Sequence, residues 1–337
     1  MTDRERVIAA IRHHDTEITP YQVKFTREAY ENMAAYYQDA NFIENIGNHM
    51  ALIDAKPPKT PVREGYIRDE FGVVWNRTVD KDIGIVDSHP LDDSHITSFP
   101  FPDLARTGLR ERVQAGLQAH PDQFCYVNIG HGLFERAWIL YGMEALLTDM
   151  LLRPSLIHNL LDRLTEYYLR TIDALAAFPQ LDGIYYGDDW GQQRGLIMGP
   201  KLWRIFIKPR ITLIHRRIKA IGKFVYVHTC GDIETILPDM IETGIDLYDP
   251  FQPEVFDIFR IKKEYGRDIA FLGGISLQKT LPFGSARDVR RETRLKADRL
   301  SEGGGYIAGP SHALTRDVPA ENIHAMLETL RKPRKNA

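Results

Sequence analysis

The amino-acid sequence predicts an α/β fold, a (β/α)8 TIM barrel carrying a small inserted β-meander near its N-terminus. Two observations lead there. Short β-rich apolar runs alternate with longer helical patterns along most of the 337 residues, the pattern of βα units laid on a parallel sheet. Seven such runs are clear, an eighth fits within residues 40–56 or is irregular, and 43% hydrophobic content supplies a core for one barrel domain spanning 1–337. A doubly wound open sheet is the competing arrangement.

The elements follow in order. A first helix is expected over residues 2–13, where Thr2 and Asp3 cap it and Val7, Ile8 and Ile11 recur at helical spacing. Residues 19–25 read as the first strand. Residues 56–95 differ: Pro57, Pro58 and Pro61 break any helix. Gly65-Tyr66-Ile67, Gly72-Val73-Val74-Trp75 and residues 83–86 look like hairpin strands, and they form the predicted meander. Beyond Pro102, helix 105–119 leads into strand 125–129, followed by helical stretches 134–152 and 154–177. Strands 183–187, 224–228, 246–248, 269–272 and 306–308 then alternate with helices 199–221, 232–243, 254–264, 286–302 and 319–332.

Bulk properties narrow the function. The formal charge is −3 and the pI about 6.5, so no nucleic-acid or polyanion partner is expected. The basic cluster Arg331, Lys332, Arg334 and Lys335 reads as a solvated end. Two cysteines, Cys125 and Cys230, are too few for a disulfide framework and fit a reducing compartment. The charged N-terminus lacks the apolar core of a signal peptide, and no window of 18 uninterrupted apolar residues occurs. A cytoplasmic protein without membrane association is therefore expected. Phosphate-binding glycine loops, a Gly-x-Ser-x-Gly elbow and His-Glu-x-x-His are all missing, which argues against nucleotide, dinucleotide and serine-hydrolase chemistry.

In a parallel barrel the active site lies at the C-terminal ends of the strands. After strand 224–228 comes His228-Thr229-Cys230-Gly231-Asp232. Two residues apart on extended chain, His228 and Cys230 point to the same side. An imidazole and a thiolate so placed make a zinc half-site. A hydrogen-bonded histidine beside a buried structural cysteine is the bland alternative. After strand 306–308, Gly309-Pro310-Ser311-His312 offers His312 as a third ligand, or as a plain loop histidine. After strand 183–187 stand Asp188 and Asp189, one of them a general base, a substrate acceptor or a fourth metal ligand, or both mere helix caps. Phe134 is a candidate apolar wall, or a core aromatic. Gln193, Gln252 and Gly273 stand after strand ends as candidate substrate contacts, the glycine because paired glycines let backbone approach a ligand.

Taken in order, several segments resemble the uroporphyrinogen decarboxylase superfamily over nearly the whole chain. They are Arg4-Glu5-Arg6-Val7-Ile8-Ala9-Ala10 with Thr19-Pro20, Gly187-Asp188-Asp189, His228-Thr229-Cys230-Gly231, Leu272-Gly273-Gly274-Ile275 and Asp317-Val318-Pro319-Ala320-Glu321-Asn322-Ile323. The resemblance implies a (β/α)8 barrel, two copies that pair, and one of two chemistries. True decarboxylases of the family hold an acidic tetrapyrrole with an arginine-rich loop after the first strand. Here that loop reads Tyr21-Gln22-Val23-Lys24-Phe25-Thr26-Arg27-Glu28, with only Lys24 and Arg27 basic, and the Phe-Ser-Asp element is absent. The other branch resembles cobamide-dependent methyltransferases, which pass a methyl group from a corrinoid protein to a thiol. These use zinc held by a His-x-Cys pair and a distal cysteine. His228 and Cys230 match the pair, while His312 stands near where the distal cysteine would lie. The resemblance therefore implies either a Zn2+ site of His228, Cys230 and His312, with His312 in place of the distal sulfur, or loss of that site, together with a corrinoid-carrying partner and a small-molecule acceptor. The competing expectation is a metal-free decarboxylase of a small carboxylic acid. In it Asp188 or Asp189 stabilises a protonated intermediate and Lys24 or Arg27 binds carboxylate.

Overall fold

The computed structural model describes residues 1–92, 94–104 and 107–334. Its strands run β1 (Met50–Ile53), then β2 (Thr60–Arg63), β3 (Tyr66–Arg68), β4 (Val74–Asn76) and β5 (Ile85–Ser88), then β6 (Phe124–His131) and β7 (Gly183–Gly187). The short pair β8 (Gly191–Gln192) and β9 (Gly195–Leu196) precedes β10 (Phe224–His228), β11 (Leu247–Phe251), β12 (Ala270–Ile275) and β13 (Tyr306–Pro310).

Seven of these form one parallel sheet in the order β1-β6-β7-β10-β11-β12-β13. Residues 21–25 bring its two edges together without forming a full strand. On one side Tyr21 and Phe25 make isolated parallel bridges to Ala308 and Leu314. On the other, the Tyr21 N–H meets His49 Nδ1 at 3.3 Å and the Val23 N–H donates to Asn48 Oδ1 at 2.9 Å. Side chains replace part of a backbone ladder there, and the preceding Pro20 has no N–H to give. The sheet is thus seven regular strands and one irregular segment, a departure from eight equal βα units.

Strand side chains alternate between two packing regions. Met50, Phe124, Tyr126, Tyr226, Leu247, Ala270, Leu272 and Ile307 pack together inside the curled sheet. Val7, Ala10 and Ile11 of α1 (Asp3–Ile11) join them and plug one end. The intervening residues, such as Val127, Val225 and Phe271, face the surrounding helices. Helix α2 (Arg27–Tyr37), capped by Thr26, was not foreseen. Next comes α3 (Leu109–Ala119); residues 105 and 106 of the expected helix 105–119 lie outside the described residues. The expected helix 134–152 is broken by Gly142 at φ +96° into α4 (Leu133–Tyr141) and α5 (Met143–Leu152), and α6 (Pro154–Leu175) follows.

Strands β2–β5 form a separate four-stranded antiparallel sheet in sequential order. Buried Arg136 of α4 fastens it. Its guanidinium donates to Asp69 Oδ2 at 2.8 Å and pairs with Glu70 at 3.5 Å. Asp69 in turn accepts the N–H groups of Phe71 and Val73 and the Trp75 indole. Part of the basic cluster expected to be solvated is tied down, while Lys332 is exposed. Arg334 is buried and bonds the Thr16 carbonyl and Asp15, and Arg331 reaches the Asn45 carbonyl. Lys335 lies outside the described residues. No helix among the described residues is long and apolar enough to cross a membrane.

Candidate functional site

The C-terminal ends of the parallel strands open into a cavity of about 360 Å³. His131 ends β6, Gly187 ends β7, His228 ends β10, Asp249 lies in β11 and His312 follows β13, and all five residues line that cavity. One nitrogen or sulfur from each of His228, Cys230 and His312 lies within 4.8 Å of the others. The His228 Nε2 and Cys230 Sγ atoms are 3.4 Å apart, and the two imidazole rings are 5.6 Å apart at 64°. Tetrahedral zinc with bonds of ~2.0–2.3 Å spaces its ligand atoms by ~3.4–3.8 Å. The His-x-Cys pair already has that spacing, and His312 completes a group whose ligand atoms all lie within 4.8 Å of one another.

The local chain explains why these groups converge. His228 and Cys230 point one way, while buried Thr229 points the other and accepts the Trp190 N–H at 3.0 Å. Gly231 turns the chain at φ +84°, where an added Cβ would meet Gln192 Cα at 2.8 Å. Asp189 Oδ1 accepts the Cys230 N–H at 2.8 Å, and Gln252 Oε1 accepts the Gly231 N–H at 3.1 Å.

Asp249 supplies the second layer. Its carboxylate accepts from His228 Nδ1, from the Tyr226 hydroxyl at 2.7 Å and from the Lys24 ammonium at 3.2 Å. This fixes the His228 ring with Nε2 towards Cys230, the carboxylate–histidine arrangement that orients metal ligands. Burial opposes charge on His228, but Asp249 and Cys230 outweigh it and raise its pKa well above the ordinary value. Burial raises the Cys230 thiol against the pull of His228. Burial also lowers His312 to about 4, so that ring is neutral and free to ligate at neutral pH.

The other sequence-selected residues divide. Asp189 and Lys24 line the cavity, though Lys24 is committed to Asp249. Asp188 is fully buried and accepts the N–H groups of Phe134 and Glu135, capping α4. It is a cap because the alternation of extended chain turns it from the cavity that Asp189 faces. Phe134 is a core aromatic with no exposure. Gln193 is exposed beside the β8–β9 pair and does not line the cavity. Gln252 is spent on the Gly231 turn. The close approach that Gly273 permits is to its neighbour strand, where a Cβ would stand 2.9 Å from the Phe251 nitrogen. Glu135 and His131 are among the cavity residues that sequence reasoning did not single out. Glu135 stands 3.6 Å from His131, and burial, then the charge of Asp189, pushes its carboxyl up to about 8. His131 is lowered to a neutral ring by burial and then Arg136. Only their place just after β6 could have marked them.

Residues 121–333 match the model of the uroporphyrinogen decarboxylase (URO-D) family. The chain belongs to that family. Within it, 180 residues are 24% identical to a methylated-thiol–coenzyme M methyltransferase of Methanosarcina mazei, covering 53% of this chain and 45% of that protein. Another 25% identity extends over 131 residues to the methylcobamide:CoM methyltransferase MtaA of Methanosarcina barkeri, covering 39% of this chain and 36% of that protein. The chain therefore spans less than half the length of these curated relatives. A solved methyltransferase from Methanosarcina mazei superposes with a TM-score of 0.74 over 98% of both chains at 19% identity, a likeness of fold.

Proposed function

We propose that this chain is a zinc-dependent methyltransferase, moving a methyl group between a corrinoid carried by a partner protein and a small-molecule acceptor. The observation that carries this reading is the convergence of His228, Cys230 and His312 at the mouth of a URO-D family fold. The methyltransferase names of the curated relatives support it. When bound, zinc would act as a Lewis acid that lowers the pKa of an acceptor thiol or hydroxyl and favours its nucleophilic anion.

The chain's own residues do the rest. Asp249 holds His228 in one tautomer. Asp189 fixes the Cys230 backbone. Glu135, its carboxyl pushed up to about 8 by burial and then Asp189, stands at the cavity wall. His312 contributes neutral imidazole where a relative would contribute thiolate, leaving the site one charge less negative. That makes a bound metal a stronger Lewis acid and suits an oxygen acceptor as well as sulfur. For the lyase alternative, Asp188 is a buried cap and the Lys24 charge is neutralised by Asp249, which leaves Asp189 as the carboxyl that faces the cavity.

Elemental analysis of protein purified without added metal tests the reading. Zinc near one equivalent, lost in Cys230→Ser, is expected. Less than about one-tenth of an equivalent, unaffected by Cys230→Ser, would sink it.

A further inference from the structure

A second cavity of about 410 Å³ adjoins the metal-side cavity, and His131 and Glu135 belong to the walls of both. Its character is different. Trp75, Ile85 and Val86 of the antiparallel sheet face Trp138, Ile139 and Met143 from α4 and the start of α5. Among the described residues, no lysine or arginine lines it, and its one carboxyl is Glu135. The metal-side cavity, by contrast, carries Lys24, Lys56 and Lys59.

The wall is built rather than incidental. The Trp75 ring stacks on His131 at 5.6 Å and 15°. Its indole N–H donates to Asp69, which the buried Arg136 guanidinium holds. The sheet therefore delivers a fixed aromatic surface to the edge of the metal site. An apolar cavity of about 150 Å³ already accepts benzene, so this space has room for a substituted ring.

The geometry points to a substrate with a neutral, ring-sized apolar body seated in this chamber, its methyl-bearing or methyl-accepting heteroatom reaching the His228–Cys230–His312 cluster between His131 and Glu135. This assignment of substrate class rests on the methyltransferase reading of the same site. It has a chemical basis. A sulfonate or carboxylate placed among these apolar side chains would lose hydration and find one ammonium near the wall, that of Lys59, 5.7 Å from the Trp75 ring centroid. A flat apolar ring gains from burial against Trp75 and Trp138. Glu135 lies in the wall that both cavities share, so it faces a heteroatom passing between them.

Calorimetric titration tests the assignment with two probes: 2-methoxyphenol, a neutral methyl-ether ring, and 2-mercaptoethanesulfonate, an anionic aliphatic thiol. Two variants change the chamber only. Met143→Trp adds bulk at a half-buried position, and Trp138→Ala removes one wall. Wild-type protein is expected to bind 2-methoxyphenol, and each variant to weaken it by about tenfold or more with zinc content unchanged. Unchanged 2-methoxyphenol affinity in both variants overturns the assignment. So does a zinc-loaded protein that binds the thiol and not the ring, and in that case the methyltransferase reading stands. Chamber-dependent ring binding by a protein that takes up no zinc supports the chamber and removes the zinc reading.

Discussion

Replacing Asp249 with asparagine separates the orienting role of this residue from its bulk. The side chain is 5% exposed and accepts three donors: His228 Nδ1, the Tyr226 hydroxyl and the Lys24 ammonium. Asparagine keeps one acceptor oxygen and nearly the same volume but loses the charge. A hydrogen bond to a charged group contributes ~1.5–3 kcal/mol and a neutral one ~0.5–1.5 kcal/mol, so the His228 contact weakens by about 1–2 kcal/mol. That converts to roughly 5–30-fold in metal affinity, overlapping the lower part of the ~10–100-fold seen when the partners of metal ligands are removed. Stability falls as well, because Lys24 loses its counter-ion. Its side chain is 31% exposed, so the loss should be below the ~3–5 kcal/mol of a fully buried broken pair. Competition against a chromophoric zinc chelator reads the affinity, and thermal denaturation reads the stability. An Asp249→Asn affinity within about twofold of wild type would refute the orienting role.

Two further predictions concern the frame. Arg136→Ala leaves Asp69 and Glu70 buried against α4 without their cation, so stability should drop by about 3–5 kcal/mol in chemical denaturation; a drop below about 1 kcal/mol contradicts the anchoring of the antiparallel sheet. His215 is fully buried, and burial, then Lys219, lowers its pKa to about 3. Between its ordinary value and about 3 the unfolded chain binds a proton that the folded chain does not, so stability decreases as pH falls through that window. The contribution reaches about 2 kcal/mol by pH ~5, and His215→Asn should remove it; equal pH dependence in both proteins rules it out.

How far the sequence carried depends on the kind of signal. Strands 183–187 and 224–228 are found at the expected bounds, β7 (Gly183–Gly187) and β10 (Phe224–His228), because a buried parallel strand is a continuous apolar run bounded by glycine or polar residues. Helix α2 escaped because Arg27 to Tyr37 buries only Ala29 and Met33, too faint an apolar stripe to read. The break at Gly142 needed tertiary context, since an isolated glycine is tolerated in a helix.

At the site, the two-residue spacing of His228 and Cys230 foretold their shared direction, and His312 joins them through the order of strands around the barrel. What stayed hidden was competition for each polar group. Asp188 and Asp189 look alike in sequence, yet one caps α4 and the other faces the cavity. Lys24 and Gln252 are spent on Asp249 and Gly231. Such assignments depend on which backbone N–H groups are left open across the fold, and no local pattern records that.

Zinc-edge X-ray absorption on metal-loaded protein tests the central claim most directly. The account predicts a first shell with one sulfur and two imidazole nitrogens from the protein, the sulfur disappearing in Cys230→Ser and one imidazole in His312→Ala. A shell without sulfur, or one that neither substitution alters, would contradict it.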